Sequence, residues 1–180
     1  MTVQSIDIRG FHSHISSLDG LARDLKHRKA HLATHRLSLR KLGPPPPASS
    51  PVTHRVMVSN RGRDTGLELK LRRAVRRVGI KRYRVNHRVG RTRVDIAFPS
   101  KKVAVLVHGC FWHHCPRCHL PLPKTHRQFW ARKFALNRAR DERVRLNLQA
   151  AGWTVLELWE HEIRENLSGC IRRIRSVSGS

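Results

Sequence analysis

Apolar residues recur at helical spacing in three stretches of the chain. The first predicted helix follows Asp64, a candidate N-cap, and ends at Gly79. The second runs from Arg127 to Ala151 and is ended by Gly152, and the third occupies the C-terminal part of the chain. The apolar positions that indicate these helices are Leu67, Leu71, Ala74, Val75 and Val78 in the first, Phe129, Trp130 and Phe134 in the second, and Ile163, Leu167, Ile171 and Ile174 in the third.

Four shorter stretches between these helices have the composition of β-strands. They are predicted over Arg82–His87, Arg93–Phe98, Val103–Val107 and Trp153–Trp159. The third stretch is apolar throughout, which is typical of a strand that is covered on both faces. The resulting order, α-β-β-β-α-β-α, predicts an α/β fold in which helices flank a mixed sheet.

Residues 1–52 differ in composition from the rest of the chain. They are rich in Ser, His and Arg, and residues 43–51 contain five prolines. Because proline lacks an amide hydrogen and restrains the residue before it, this segment is expected to form an extended linker. We therefore predict a basic, disordered extension with a Pro-rich linker over residues 1–52 and one folded domain over residues 53–180. The extension is interpreted either as dispensable or as an arm that follows DNA.

The charge of the chain indicates a polyanionic partner. Of its 180 residues, 37 are Lys or Arg and 12 are Asp or Glu, which gives a formal charge of +25. Such an excess favours association with nucleic acid, although a merely basic or ribosome-associated protein has the same composition. The longest aliphatic run, Val103–Val107, falls far short of the roughly 20 residues needed to cross a bilayer. No secretory signal is visible, so the four cysteines indicate metal binding or catalysis rather than disulfides.

Residues 108–119 contain three cysteines and four histidines, the composition of a metal site. Cys115 and Cys118 have the CxxC spacing that lets two thiolates bind one tetrahedral ion, and Cys110 lies five residues upstream. The fourth ligand of a structural zinc site could be His119, His161 or Cys170. A redox CxxC is the alternative, but such a pair normally opens a helix, and the surrounding Pro and His residues fit that poorly.

Carboxylates are scarce in the centre of the chain. Only Asp64, Glu68 and Asp95 occur between residues 53 and 140. Asp95 lies in a predicted strand, where a charge is costly unless a cation or a hydrogen-bond donor meets it. We interpret it as a ligand of Mg²⁺, with His108 or His113 close enough to accept a proton from water. The alternative is that Asp95 pairs with one of the many arginines.

The role of Glu68 is open from the residues alone. On the first predicted helix it could form an ion pair with Arg72, one turn further along. It could equally reach the site of Asp95 and position a histidine or a water molecule.

Several motifs taken together resemble one known family, the very short patch repair (Vsr) endonucleases. The resemblance covers about residues 57–165 and is most specific between His108 and His113. It rests on Arg63-Asp-Thr-Gly-Leu-Glu68, Val94-Asp95, His108-Gly-Cys-Phe-Trp-His113, Pro123-Lys-Thr-His126, Phe129-Trp130, Lys133, Asn137, Arg140-Asp141, Gly152-Trp153 and Trp159-Glu-His161.

The resemblance implies a restriction-endonuclease-like fold and a DNA repair activity. Members of the family make a Mg²⁺-dependent nick on the 5′ side of the T in a T·G mismatch, which arises when 5-methylcytosine deaminates. The implied partner is double-stranded DNA that carries such a mismatch, and coupling to mismatch-repair proteins, without a membrane, is a further expectation. A monomer that acts at the nucleoid in a bacterial cytoplasm is also implied.

The resemblance also implies roles for individual residues. Asp95 matches the metal-binding aspartate, His113 the general base and His108 a histidine near the scissile phosphate. Glu68 matches a supporting glutamate. Val107 stands where the family often has Thr, whose backbone carbonyl meets the metal, and a carbonyl survives that change.

Aromatic and polar residues after the histidines match the family's DNA contacts. Phe111, Trp112 and Trp130 match residues that wedge into the duplex beside the mismatch. Lys133 and Asn137 match residues that contact the mismatched pair. From the residues alone, the three aromatic side chains are more simply interpreted as core.

For the structural zinc we select Cys110, Cys115, Cys118 and His161, with His119 as the rival to Cys118. The cofactors expected are thus catalytic Mg²⁺ and structural Zn²⁺. Two other functions stay open at this point. One is a zinc-stabilised DNA-binding module without catalysis, and the other is a nuclease of the same fold with a different DNA specificity.

Overall fold

The structure is a computed structural model and describes residues 42–48, 50–51, 55 and 63–179. Most of the predicted extension, residues 1–52, lies outside the described residues, so its disorder and its boundary at residue 52 stay predictions. Within the part of the chain that the structure describes, no helix is both long and apolar enough to span a membrane.

The described chain forms a four-stranded sheet with helices on both faces, and the predicted mixed α/β fold is confirmed. The predicted order of elements is also confirmed, except that Asn166 divides the last predicted helix into two, because its side chain caps the second of them by accepting a hydrogen bond from the Gly169 amide at 2.9 Å. The elements are α1 (Gly66–Arg77), β1 (Arg84–Val89), β2 (Thr92–Phe98), a 3₁₀ turn (Pro99–Lys101), β3 (Val103–His108), α2 (Arg127–Ala150), β4 (Thr154–Trp159), α3 (Glu160–Glu165) and α4 (Leu167–Ser178).

The strands are arranged in the order β1-β2-β3-β4, with β3 and β4 parallel and the other pairs antiparallel. The connection between the parallel strands runs through α2. Because parallel strands end at the same edge of a sheet, the last residues of β3 and β4, His108 and Trp159, lie side by side. The loop after β3 and helix α3 after β4 therefore start from one place.

The sheet separates two core layers. The first core layer packs β2, β3 and β4 against α1, α3 and α4, and the second packs the other face against α2. The first layer contains Leu71, Val75, Ile80, Ile96, Phe98, Val103, Val105, Leu156, Leu158, Ile163, Cys170, Ile171 and Ile174. The second contains Val94, Ala97, Ala104, Leu106 and Leu148.

Helix α1 is capped by Thr65, so the prediction of Asp64 as N-cap was wrong by one residue. The Thr65 hydroxyl accepts the Glu68 amide at 3.3 Å and donates to the Glu68 carboxylate at 3.0 Å. Asp64 has a left-handed backbone, with φ of 53°, and its carboxylate instead forms an ion pair with Arg72. The cap thus also holds the carboxylate of Glu68 in place.

The hairpin of β1 and β2 changes the face of its side chains at Asn86 and Asp95. Val94 belongs to the second core layer, whereas Ile96, two residues later, belongs to the first. In a regular strand, residues two apart share a face. Asn86, opposite Asp95, has a left-handed φ of 50°, and the paired register skips these two residues. The irregularity therefore changes the face of the sheet that the β2 side chains take on either side of Asp95.

Candidate active site and metal centre

Four sulfur and nitrogen ligands converge where the loop after β3 meets α3. The Nδ1 atom of His161 lies 3.3, 3.6 and 3.4 Å from the Sγ atoms of Cys110, Cys115 and Cys118. Zinc with tetrahedral bonds of about 2.3 Å to sulfur and 2.0 Å to nitrogen separates such atoms by about 3.5 Å. This group, called here the Cys3His cluster, could hold a metal such as zinc.

Backbone hydrogen bonds shape the loop so that its cysteines face one point. The Cys115 amide donates to the Cys110 carbonyl at 2.9 Å, and the His119 amide donates to the Cys115 carbonyl at 3.3 Å. The Cys110 amide donates to the Glu160 carboxylate at 3.0 Å, which ties the loop to α3. His119, the rival ligand, is exposed and is not among the four converging residues.

Burial acts most strongly on the first cysteine of the cluster. Burial raises the pKa of the Cys110 thiol to about 12, and the neighbouring cysteines act in the same direction. A cation that binds thiolates would reverse this effect, because zinc coordinates the deprotonated sulfur. The donor set therefore fits a zinc ion in both distance and chemistry.

Asp95 lies on β2, next to the end of β3. Its Oδ2 accepts the amide hydrogen of Val107 at 2.8 Å, so a backbone amide holds the carboxylate. Burial raises the pKa of the Asp95 carboxyl, and the negative charge of Glu68 adds to this, against the Val107 hydrogen bond and the charges of Arg93 and His108. Burial thus disfavours the ionised carboxylate, and a divalent cation beside it would offset that cost.

Glu68 forms the ion pair that was one of its two alternatives from the sequence. Its carboxylate accepts the Asp64 amide at 3.1 Å and forms a buried ion pair with Arg72 at 2.8 Å. It also lies close enough to Asp95 to influence its ionisation. The ion pair with Arg72 and a position beside the site are therefore compatible.

His108 and His113 lie next to each other, with ring centroids 4.6 Å apart. His113 donates through Nδ1 to the carboxylate of Asp141, and His108 contacts Glu157 through Nε2 at 3.1 Å. His108 also influences the ionisation of Asp95, so the structure brings Asp95, Glu68 and both histidines to one edge of the sheet.

Each carboxylate partner is kept ionised by its histidine. Although burial raises the pKa of the Asp141 carboxyl, the hydrogen bond from His113 and nearby positive charge hold it below its ordinary value. The hydrogen bond from His108 lowers the pKa of the Glu157 carboxyl against the opposing effect of burial. Both groups therefore act as hydrogen-bond acceptors near neutral pH.

The sequence analysis gave no role to Asp141 or Glu157. Asp141 occurs in one of the motifs, but its partner depends on where α2 crosses the sheet. Glu157 had a visible signal, because it is the only charged residue in the otherwise apolar core of β4, between Leu156 and Leu158.

One face of α2 holds the loop that carries His113. Asn137, buried on this face, donates its side-chain amide to the carbonyl of Trp112 at 2.6 Å, and Asp141 binds His113 one turn further on. Lys133, on the preceding turn, is half-buried. Contacts of Lys133 and Asn137 with a mismatched pair stay predictions, but the structure shows that Asn137 fixes the loop.

An aromatic cluster forms beside the histidines. Phe111 lies 5.1 Å from Trp112, 5.7 Å from Trp130 and 5.2 Å from Phe134, measured between ring centroids. Trp130 and Phe134 are buried, whereas Phe111 and Trp112 are half-buried. The cluster therefore has a core part on α2 and a part on the loop that reaches the surface.

Comparisons with known proteins point to one family. The sequence model described as DNA mismatch endonuclease Vsr matches residues 51–119. The chain is 42% identical over 113 residues to the type II nicking enzyme V.NaeI of Lentzea aerocolonigenes, and the aligned region covers 60% of this chain and 67% of the relative. It is 34% identical over 130 residues to the type II nicking enzyme V.XorIIP of Xanthomonas oryzae, with 71% of this chain and 93% of the relative aligned. It is 36% identical over 103 residues to the DNA mismatch endonuclease Vsr of Escherichia coli, with 57% of this chain and 65% of the relative aligned.

Proposed function

The chain belongs to the Vsr family of DNA mismatch endonucleases, and from that premise we propose that it nicks one strand of a duplex on the 5′ side of the T in a T·G pair, with Mg²⁺ as cofactor. That the protein is a DNA endonuclease follows from the family and from its relatives. The observation that carries the finer proposal is the position of Asp95, a half-buried carboxylate that accepts at 2.8 Å the amide of Val107, the residue next in sequence to His108, whose ring lies against that of His113.

Asp95 and the Val107 backbone would hold the Mg²⁺ ion, with phosphate oxygens of the substrate completing its ligands. When bound, the ion would polarise the phosphorus and stabilise the leaving oxygen. Val107 is suited to this place because its amide already holds the Asp95 carboxylate at 2.8 Å. Glu68 adds negative charge that favours a cation at this point.

His113 is the proposed general base. Because its Nδ1–H is donated to Asp141, its Nε2 carries the lone pair that can accept a proton from the attacking water. Asp141, held ionised, fixes the ring and stabilises the imidazolium that forms. His108, beside it, is proposed to act near the scissile phosphate.

The half-buried aromatic rings of Phe111 and Trp112 are proposed to enter the duplex beside the mismatch. A wobble pair stacks weakly, so inserting a ring costs less there than at a matched pair. Trp130, which is buried, supports these rings from α2 at centroid distances of 5.7 and 6.1 Å. Selectivity for T·G would then come from deformability together with contacts from Lys133 and Asn137.

Zinc in the Cys3His cluster is proposed to be structural. Three thiolates and one imidazole would complete a tetrahedral zinc ion, which is the mark of a closed site. The ion would fix the loop that carries Phe111, Trp112 and His113 at the edge of the sheet. Action as a monomer at the bacterial nucleoid, and coupling to mismatch-repair proteins, stay predictions that rest on the family alone.

The experiment is a nicking assay on end-labelled duplexes that differ at one base pair. We expect a single nick 5′ of the T in the T·G duplex with Mg²⁺, and little cleavage of the T·A duplex of the same sequence. Asp95→Asn is the matched variant and should bind the T·G duplex without nicking it. Equal cleavage of T·A, or nicking confined to another mismatch in the panel, would contradict the proposed specificity and favour a nuclease with a different DNA target.

A further inference from the structure

The contact between His108 and Glu157 follows from the register of the parallel strands. Glu157 of β4 pairs with Leu106 of β3, and His108 is the next residue of β3 on the same face. The Nε2 atom of His108 lies 3.1 Å from Oε1 of Glu157. The imidazole is 5% exposed and packs against the rings of Trp159 and His113, so it has little freedom to turn.

A carboxylate accepts hydrogen bonds, so the hydrogen of the neutral His108 ring is placed on Nε2. The Nδ1 atom is then left as the acceptor, and it is buried without a hydrogen-bond partner among the described residues. A buried polar atom without a partner is rare, and it indicates that a ligand or a water molecule supplies the missing hydrogen bond.

His113 is bound to its carboxylate through the other ring nitrogen. Its Nδ1 is bound to Asp141, which leaves Nε2 for chemistry. The two adjacent rings thus present different nitrogens, each selected by its own carboxylate, from α2 in one case and from β4 in the other.

We propose that Glu157 is a positioning residue that fixes the orientation and tautomer of His108, so that Nδ1 is the nitrogen presented to the substrate. This inference rests on the proposed function, because it takes His108 to act in the nicking reaction. Partners that fix a functional histidine typically change activity by 10- to 100-fold when they are removed.

A purely structural role for Glu157 makes different predictions. If the carboxylate served only to satisfy a buried imidazole, its loss would lower stability and active fraction but leave the turnover of folded protein unchanged. Glu157→Leu removes the acceptor while keeping a similar volume beside the second core layer. Glu157→Gln keeps an oxygen that can accept from Nε2, and Glu142→Gln is a control that removes a carboxylate of α2 that pairs with Arg145 and no histidine.

The first measurement is the tautomer of His108, from nitrogen–proton NMR correlation of ¹⁵N-histidine-labelled, zinc-loaded protein under alkaline conditions. We expect the Nε2–H form in the wild type, in Glu157→Gln and in Glu142→Gln, and a mixture of forms in Glu157→Leu, with His113 unchanged throughout. The Nδ1–H form in the wild type, or an unaltered His108 in Glu157→Leu, would overturn the inference.

The second measurement is single-turnover nicking of the T·G duplex by the same preparations. We expect Glu157→Leu to lower the single-turnover rate at saturating protein by about 10- to 100-fold, with the half-saturating protein concentration within about twofold, and Glu157→Gln to recover most of the rate. An unchanged saturating rate in Glu157→Leu, with the tautomer lost, would overturn the role in the reaction. If instead His108→Ala nicks as fast as the wild type while the tautomer results hold, the proposed role of His108 fails and the positioning by Glu157 stands.

Discussion

Two clusters of side chains that can bind metal or transfer protons meet at the loop after β3. They differ in how many of their donor atoms have a partner within the cluster. In the Cys3His cluster, the three sulfur atoms lie 3.3–3.6 Å from the fourth donor atom, the His161 nitrogen. In the second cluster, formed by Asp95, His108, His113, Asp141 and Glu157, each histidine has one nitrogen bound to a carboxylate and one left over.

The difference shows how a short loop can supply both rigidity and reactivity. A closed ligand set binds a metal without leaving a position for substrate, whereas an open set keeps atoms available for a reaction. Cys110 and Cys115 bracket His113 in sequence, so whatever fixes the cysteines also fixes the histidine. The predictions below test whether the first cluster acts on folding and the second on chemistry.

The largest expected effect is on activity, from Asp95→Asn. Loss of a metal ligand that contributes several kcal/mol to the transition state should lower the nicking rate at least about 1000-fold. Binding to the T·G duplex and the zinc content should stay as in the wild type. Measured by single-turnover nicking and gel-shift titration, a rate within tenfold of the wild type would remove Asp95 from the catalytic cluster.

His113→Ala should have the next largest effect. General-base catalysis typically contributes about 100- to 10,000-fold, so the rate should fall by that range. The matched control is His114→Ala, because His114 stacks on Phe134 and contacts Arg138 and not Asp141. If both variants lost activity equally, the histidines would be acting through the fold of the loop.

Cys118→Ser should affect stability before chemistry. Loss of one ligand from the Cys3His cluster should release zinc and lower Tm by about 10 °C, since losing a structural metal typically costs several kcal/mol. His119→Ala, which removes the rival ligand, should retain zinc. Metal analysis and thermal unfolding check both variants, and zinc loss from the His119 variant alone would contradict the assigned set.

The aromatic cluster should also divide into residues that affect activity and residues that affect stability. Trp112→Leu, on the loop, should reduce the preference for T·G over T·A by about tenfold, because stacking on a base contributes about 1–3 kcal/mol. Trp130→Leu, which removes a buried ring, should mainly lower Tm. Rates on both duplexes and unfolding curves distinguish the two, and an unchanged preference in the Trp112 variant would exclude its role as a wedge.

The smallest expected effect is a gain in stability from Asp95→Asn without Mg²⁺. Because the folded state raises the pKa of Asp95, the ionised group costs stability at neutral pH, and that cost disappears as pH falls through the raised pKa. Asparagine keeps an acceptor for Val107 without the charge. Its Tm should thus exceed that of the wild type near neutral pH and converge with it under acid conditions; a lower Tm near neutral pH would show that the charge is stabilising.

The order of helices and strands could be predicted from the sequence because it depends on local periodicity. The break at Asn166 could not, since apolar spacing continues through it from Ile163 to Ile174. Nor could the change of face at Asp95, which depends on a left-handed residue in the facing strand, Asn86. Strict alternation along β2 predicts a different face for Val94 than the one it takes.

The two clusters also differed in how much of each could be predicted from the sequence. The Cys3His set was selected from cysteine spacing, with His161 taken from three candidate fourth ligands, and the structure brings those four residues together. The partners of the histidines depend on contacts across the sheet and from α2. Spacing along the chain carries no information about the 3.1 Å contact between His108 and Glu157, which joins residues 49 positions apart.

The most direct test of the account is a Mg²⁺ titration of nicking at constant zinc content. Zinc-loaded protein freed of Mg²⁺ should leave the T·G duplex intact, and added Mg²⁺ should restore nicking to saturation while zinc per chain and Tm stay constant. Nicking without Mg²⁺, or activity that rises only as zinc is displaced, would contradict the division between a structural and a catalytic cluster.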